Sequence, residues 1–345
     1  MSEEKIGGYE AHLTKRAERR QSNQLAYESG YSKGQAEFHP ENVEIANELL
    51  SSVDRKQLTD IFLDYLRKAG VPLENANTSV LQEIMVRPMK NEETVAFYVS
   101  FTNQITLSTT DKDFLKAKES RNKEQRIPGE LLMKMQLFFI HETCHALSRN
   151  RISTKDSNNS QSLITTEVGY EIKEGVIRQS ARQFGTAKGR TSLFEALNEG
   201  VTQRVAEEVF VELARRTGNG GHAEKFLGDF ITDNAQHLWR YSIYGNQVDG
   251  MCEQIAVYTG VEKTTVWDAF KRGYFAKPEL FVKETIELFR ETFGENFLDE
   301  YSKLSNKTSL DMLGRFDGQA GFSHPEKYAK KWLEHLGVEQ SSTTS

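Results

Sequence analysis

The spacing of apolar positions along the first third of the chain predicts two helices followed by a small sheet. Apolar side chains recur at helical spacing in residues 41–53 and again in residues 54–69, and Gly70 follows the second segment as a stop. The period then changes, because residues 80–86 and 95–108 alternate β-branched or aromatic side chains with polar ones. This alternation predicts two or three antiparallel strands.

The rest of the chain is predicted to be helical. A polar stretch over residues 109–126 links the sheet to Pro128, a favoured first helical residue, which opens a long apolar helix to about Asn150. A polar loop over residues 149–161 follows this helix. The helical segments expected beyond the loop are 162–184, 193–216, 223–232, 234–259, 264–272, 278–304 and 325–336.

This order of elements predicts an α+β fold that is predominantly α, since the strands are segregated from a long helical remainder. We expect four regions along the chain. They are a loosely ordered arm (1–40), an N-terminal lobe with the sheet and the long helix (41–150), a helical C-terminal lobe (151–338) and a disordered tail (339–345).

Composition narrows the class of protein. The chain has 345 residues with 44 basic and 50 acidic side chains, a net charge of −6, and 37% hydrophobic residues. This balance is typical of a soluble globular protein and argues against a nucleic acid or a membrane as the main partner. The first residues lack the apolar centre of a secretory signal, and two cysteines are too few for a disulfide framework. We therefore expect a cytoplasmic protein.

Candidate chemistry appears in the long helix, as the sequence His-Glu-Thr-Cys-His at residues 141–145. Residues four apart share a helix face, so His141 and His145 can direct their imidazoles at one metal ion. Glu142 lies beside them, near a water on that metal, without being a ligand. Cys144 faces away from the pair and is expected to be a small core residue. A helix this apolar has little reason to bury two imidazoles and a carboxylate unless something satisfies them.

A third ligand is expected from the next long helix, which carries Glu195 and Glu199 one turn apart. Zinc is well suited to two imidazoles and one carboxylate with a fourth position left open. Ser192 and Glu195 have the spacing of a capping box at the start of this helix, which would give Glu195 a structural role. From the residues alone, both acids are candidates.

The H-E-x-x-H sequence followed by Asn-Glu on a second helix resembles the gluzincin metallopeptidases, the thermolysin-like branch of the zincins. The run from Ala196 to Thr202 (ALNEGVT) is similar to that of many bacterial members. The resemblance implies that Glu199 is the third ligand of one zinc ion per chain, with His141 and His145. It also implies that Glu142 is the general base, and that residues 41–150 form a zincin lobe.

Two features differ from the family pattern. Between His145 and Glu199 stand 53 residues, more than in the best-known members, so an insertion that includes residues 149–161 must loop out between the two helices. Gln203 stands where thermolysin-like enzymes carry a carboxylate that holds a ligand histidine. An amide there would make its histidine partner less basic. Thr202 occupies the other position from which family members commonly hold a ligand histidine.

The resemblance further implies a substrate strand and an oxyanion donor. Zincins pair the open edge of a strand that precedes the active-site helix with an extended peptide, and Phe101–Ser108 has the expected position. For the oxyanion donor we favour Tyr244, with His237 and Tyr241 as alternatives on the same aromatic-rich stretch.

These features together predict a zinc metallopeptidase, a hydrolase acting on a peptide or protein substrate. Two alternatives use the same scaffold. One is a non-proteolytic metal-binding protein with a regulatory or interaction role, which the intact Glu142 argues against, because a purely structural site has no use for that base. The other is an effector protease that cuts a single partner protein.

Overall fold

The helix that carries the two histidines is almost completely buried, and it contacts both a three-stranded sheet and a 22-residue helix. The expected arm (apart from Pro40), the helix predicted over 325–336 and the tail over 339–345 lie outside the described residues. The computed structural model describes residues 40–51, 53–71, 84–88, 95–99, 104–156, 161–178, 191–233, 238–276 and 285–293.

The described part of the chain is α+β and predominantly helical, as predicted. Its helices are α1 (Pro40–Leu49), α2 (Arg55–Lys68), α3 (Lys112–Asn122), α4 (Gly129–Leu147), α5 (Glu195–Arg216), α6 (Gly220–Asp233), α7 (Leu238–Thr259), α8 (Lys263–Phe275) and α9 (Glu287–Phe293). Its strands are β1 (Ile84–Arg87), β2 (Ala96–Val99), β3 (Gln104–Ser108), β4 (Asn150–Asp156), β5 (Gln161–Val168), β6 (Glu171–Arg178) and β7 (Thr191–Leu193).

Helices α1, α2 and α4 confirm the prediction from apolar spacing. The expectation of a polar linker over residues 109–126 is wrong, because α3 lies there. Asp111 caps this helix, as its side chain accepts hydrogen bonds from two main-chain N–H groups of the first turn. Phe114 and Ala117, three residues apart, give the helix a short buried face. Two apolar positions are too few to give a helical periodicity that can be recognised in the sequence.

The first sheet has the order β1-β3-β2, so β3 is its central strand. Strand β2 runs antiparallel to β3, but β1 runs parallel to it, with Ile84 opposite Ile105. The prediction of an antiparallel sheet is therefore wrong for β1. Alternation predicts that a strand exists, but the direction of its pairing depends on where the connecting chain returns.

The second sheet was not predicted, and it occupies the described parts of both the loop expected over 149–161 and the helix expected over 162–184. Strands β4 to β7 form an antiparallel sheet in chain order. Val168 pairs with Glu171 across a two-residue turn, where Gly169 takes a positive φ of 56°. Ile, Thr and Val are frequent in β5 and β6, which favours strands over helices. The insertion between the two site helices is thus a sheet, and the C-terminal region is not wholly helical.

Helix α5 packs against α4 on one side and crosses α7 closely on another. Gly200 lies at this crossing, where an added Cβ would stand 2.5 Å from the main-chain oxygen of Tyr244 and 2.6 Å from a methyl group of Val248. Only glycine lets the two helices approach this far. In the part of the chain that is described, no helix has the length and apolar character needed to span a membrane.

Candidate metal centre

Helix α4 brings His141 and His145 onto one face, as their four-residue spacing predicted. Their Nε2 atoms are 3.2 Å apart, and the ring planes are inclined by 76°. The side chains are buried, with residue exposures of 2% for His141 and 8% for His145. The two nitrogens therefore converge on one point inside the protein.

Helix α5 supplies a carboxylate to the same point. One oxygen of Glu199 lies 3.3 Å from Nε2 of His141 and the other lies 3.6 Å from Nε2 of His145. Zinc bonds of about 2.0–2.1 Å in a tetrahedral site place neighbouring ligand atoms roughly 3.3 Å apart. The separations of these three donor groups match that spacing, so His141, His145 and Glu199 could hold a metal ion.

Glu195 does not join this group. Helix α5 begins at Glu195, and the residue before it, Phe194, has a left-handed backbone with φ 58° and no side-chain capping bond. The predicted capping box of Ser192 with Glu195 is wrong, because Ser192 belongs to strand β7 and Glu195 is the first helical residue, not the third. The carboxylate one turn further along is the one that faces the histidines.

On the side away from the candidate metal position, His141 contacts an amide that is itself hydrogen-bonded to a carboxylate. Its Nδ1 lies 3.1 Å from Oε1 of Gln203, and Nε2 of Gln203 donates to Glu207 over 2.7 Å. The expected contact of Gln203 with a histidine is confirmed. A carboxylate, Glu207, therefore lies behind the amide, one helical turn further along α5.

His145 is held by hydroxyl groups instead. Its Nδ1 lies 3.4 Å from both the Thr202 hydroxyl and the Tyr274 hydroxyl, and these two hydroxyls are 2.6 Å apart. The Thr202 hydroxyl donates to the main-chain oxygen of Asn198, so it accepts from its other neighbours. Either hydroxyl oxygen can accept a hydrogen bond from Nδ1 of His145, and the side-chain nitrogen of Asn198 lies 3.5 Å from the same atom.

The second sheet, which lies between His145 and Glu199 in the chain, supports the contacts of His145. The N–H of Tyr170, in the β5–β6 turn, donates to the side-chain oxygen of Asn198 over 2.9 Å. Gly169 allows the turn to lie this close, since a Cβ there would stand 2.3 Å from the Tyr274 ring and 2.5 Å from the Asn198 oxygen. The turn thereby fixes Asn198, the neighbour of the ligand Glu199, and the ring of Tyr274.

The hydrogen bond at Nδ1 of an imidazole indicates whether its Nε2 presents a proton or a lone pair to the candidate metal position. A neutral imidazole that donates from Nδ1 presents a lone pair at Nε2. At Nδ1 of His141 the partner is the Gln203 oxygen, so Nε2 of His141 would turn a lone pair toward the Glu199 oxygen 3.3 Å away, whereas Nδ1 of His145 also lies 3.5 Å from the Asn198 side-chain nitrogen, which can only donate. The convergence of acceptors from His141 and Glu199 is unfavourable without a cation between them, and it suits a borderline-soft divalent ion such as zinc.

Burial and mutual charge shift the pKa values of the titratable groups in different directions. In the metal-free protein, where the imidazoles can carry a proton on Nε2, burial alone would raise the pKa of Glu199, but the charge of His145 and hydrogen bonds donated by both imidazoles hold it well below its usual range. Burial would lower the pKa of His145, yet the charge and hydrogen bond of Glu199, together with the charges of Glu142 and Glu171, outweigh burial and raise it. Burial raises the pKa of Glu142, against the opposing charges of the two histidines.

Glu142 is next to the ligands but is not one of them. It is 6% exposed and accepts a hydrogen bond from the main-chain N–H of Tyr98 in strand β2. A carboxylate buried beside two imidazoles and raised in pKa is suited to accept and release a proton.

The strand predicted to bind substrate is the wrong one. Residues 101–103 lie outside the described residues, and β3, which holds Gln104–Ser108 of the predicted strand, is paired on both edges. In the described part of the sheet, β2 is the outer strand on the side of Glu142. The sequence could not show which strand is central, because the order of strands depends on contacts between distant segments.

The candidates for the oxyanion donor stay predictions. Tyr244 is buried on α7, with its main chain against Gly200, one residue after the ligand Glu199. His237 lies outside the described residues, and of Tyr241 only the helical backbone is described.

Sequence reasoning missed Glu207, Tyr170 and Tyr274. Glu207 had a usable signal, since it follows Gln203 by four residues on a predicted helix. Tyr274 had none, because it lies 129 residues from His145 in the chain. In comparison with known proteins, no family model, no curated protein and no solved structure matches the chain.

Proposed function

We propose that the protein is a zinc-dependent metallopeptidase that hydrolyses peptide bonds. The observation that carries this proposal is the buried group of His141, His145 and Glu199, with the non-ligand Glu142 beside it. Three protein ligands leave a fourth position for water or substrate, which distinguishes catalytic zinc sites from structural ones. The H-E-x-x-H and Asn-Glu sequences support the gluzincin branch of the zincins.

In this mechanism, His141, His145 and Glu199 would hold the metal. A zinc ion supplies a water of lowered pKa and polarises the scissile carbonyl. Glu142 accepts a proton from the attacking water and delivers it to the leaving amine. The hydrogen bond from the Tyr98 N–H fixes the carboxylate of Glu142 while it does so. Tyr244 is the proposed donor to the developing oxyanion, and Tyr244→Phe is expected to lower kcat by about 10²–10³-fold.

An extended peptide suits the edge of strand β2. The Ser108 N–H donates to the Val95 oxygen, so the main chain of every second residue from Val95 faces β3. The main-chain groups of Ala96 and Tyr98 therefore point away from β3, on the side where Glu142 accepts from Tyr98. A peptide that adds to this edge would bring a bond close to the base.

The test compares the wild-type protein with Glu142→Gln. Gln has nearly the shape of Glu and is not a ligand here, so zinc content and thermal stability should stay nearly unchanged. Hydrolysis of a library of peptides and unfolded proteins should fall by about 10²–10⁴-fold, because an amide cannot accept the proton.

Activity that survives in Glu142→Gln would overturn the mechanism. A wild-type protein that holds about one zinc but cuts none of these substrates would favour the regulatory alternative. In that event, incubation with candidate partner proteins separates an effector protease from a protein without activity.

A further inference from the structure

One face of helix α5 carries a metal ligand and the groups that hold another ligand. Glu199, Gln203 and Glu207 are spaced by four residues, so they lie in a row along the helix. Glu199 faces both histidines, Gln203 contacts Nδ1 of His141 over 3.1 Å, and Glu207 accepts from Gln203 over 2.7 Å. The row connects the candidate metal centre to a carboxylate that touches no ligand.

We propose that Glu207 is a positioning residue that sets the orientation of the Gln203 amide and, through it, the tautomer of His141. This inference rests on the metal triad of the proposed function. A primary amide has one accepting end and one donating end, and either end could face His141. Glu207 settles which one once it is ionised, above a pH of about 7, because a carboxylate only accepts and therefore binds the NH₂ end.

The orientation of the amide decides where the His141 proton lies. With its NH₂ group on Glu207, Gln203 turns its oxygen toward Nδ1 of His141 and accepts a hydrogen bond from it. The imidazole then keeps its proton on Nδ1 and its lone pair on Nε2, the atom that faces Glu199 and His145. A flipped amide would donate to Nδ1 and favour a proton on Nε2, which would oppose metal binding.

Charge strengthens the same effect. Above a pH of about 7, where Glu207 is ionised, its negative charge polarises the amide, so that the Gln203 oxygen becomes a stronger acceptor and His141 a more basic ligand. This explains how a glutamine can stand at a position where a carboxylate is expected. The carboxylate acts from one turn further away.

Glu208, the next residue, is a matched control. It lines the same cavity of about 540 Å³ as Glu207, between α2, α5 and α6. Its carboxylate accepts from the Tyr65 hydroxyl and from Nε1 of Trp267, and it pairs with Arg204. It makes no hydrogen bond to Gln203, so it offers equal charge without the connection to His141.

The experiment measures zinc affinity by competition with a chelator in four full-length variants and the wild type. Glu207→Gln should weaken zinc binding about tenfold, the lower end of the range for outer-shell partners, since an amide at 207 no longer fixes the orientation of Gln203. Glu208→Gln should bind zinc as the wild type does. In the Gln203→Met background, adding Glu207→Gln should cause no further loss.

A spectroscopic readout separates this role from a general loss of stability. In the ¹⁵N spectrum of zinc-loaded wild type, the His141 proton should be on Nδ1 and one Gln203 amide proton should be shifted downfield by its bond to Glu207. In Glu207→Gln this downfield shift should diminish. The wild-type spectrum decides the matter even if a variant fails to fold, because solvent-like Gln203 amide signals would overturn the proposal.

The outcomes also distinguish this inference from the proposed function. Equal zinc affinity in Glu207→Gln and the wild type would overturn the inference alone, as would equal losses in the presence and absence of Gln203. If the wild-type protein binds no zinc through His141, His145 and Glu199, the proposed function fails and this inference fails with it.

Discussion

The main-chain oxygen of Tyr244 lies 2.5 Å from the place that a Cβ on Gly200 would occupy, so α5 and α7 cross with no room for a side chain. The crossing is one residue from Glu199, a candidate metal ligand. The geometry of this crossing therefore controls how close α5, and Glu199 with it, lies to α4 and the two histidines.

Gly200→Ala should separate α5 from α7 and displace Glu199. We expect a loss of roughly 1–3 kcal/mol in the free energy of unfolding, as for overpacked cores, together with weaker zinc binding. Gly228→Ala in α6 is the control, because a Cβ there meets nothing within 4 Å. It should leave zinc affinity unchanged. Urea unfolding measures the free energy of unfolding, and zinc titration measures the zinc affinity. Equal behaviour of Gly200→Ala and Gly228→Ala in both measurements would refute the prediction.

Glu199→Ala should lose its zinc, whereas Glu195→Ala should keep its zinc and lose only some helix stability. Removal of Glu199 deletes a metal ligand, so stoichiometric zinc should be lost. Glu195, as the first residue of α5, contributes at most about 1 kcal/mol through its charge at the helix start, and its removal should leave zinc in place. Metal analysis of the purified variants decides, and a zinc-free Glu195→Ala would contradict the ligand set.

Tyr274→Phe should weaken zinc binding, because it removes one of the two hydroxyls that hold Nδ1 of His145. Thr202 remains in place, so we expect a loss of about tenfold in affinity and not the loss of the site. Tyr170→Phe is the matched control. Its hydroxyl contacts the Phe270 oxygen and Thr285, away from the histidines, so this variant should lose stability but keep its zinc affinity.

The metal-free protein should lose stability through Glu207 as the pH rises. Burial raises the pKa of Glu207 from 4.5 to about 7, with Gln203 and Arg204 opposing the shift. Between these pH values the folded protein keeps a proton that the unfolded chain has released. The contribution of Glu207 to the free energy of unfolding therefore falls as pH increases from 4.5 to 7, by at most about 1.4 kcal/mol per pH unit.

Urea unfolding of the metal-free wild type and Glu207→Gln at about pH 5 and about pH 7.5, on either side of most of this window, tests the expectation. The variant should gain stability relative to the wild type at the higher pH, because Gln cannot ionise. Glu208→Gln, which removes the neighbouring carboxylate of the same cavity, serves as reference. A stability difference that is the same at both pH values would show that Glu207 does not titrate in this window.

The sequence alone determined the features that depend on local spacing. Regular apolar positions identified α1, α2 and α4, and the four-residue separation of His141 and His145 was enough to place them on one helix face. Asn-Glu in a family-like run then selected Glu199 over Glu195, and the geometry brings Glu199 to the histidines. The helical inferences succeed because a helix fixes the relative position of residues within one or two turns, whereas the choice of Glu199 rested on the resemblance and not on local spacing.

Tertiary structure decided what depends on distant segments. The parallel pairing of β1 with β3, the sheet inserted between His145 and Glu199, and the contact of Tyr274 with His145 all join parts of the chain that local patterns do not connect. Short strands carry little periodicity, and their partners are chosen by packing and by the path of the chain. The candidate ligands could therefore be found in the sequence, together with Gln203 and Thr202, whereas Tyr170 and Tyr274 could be found only in the fold.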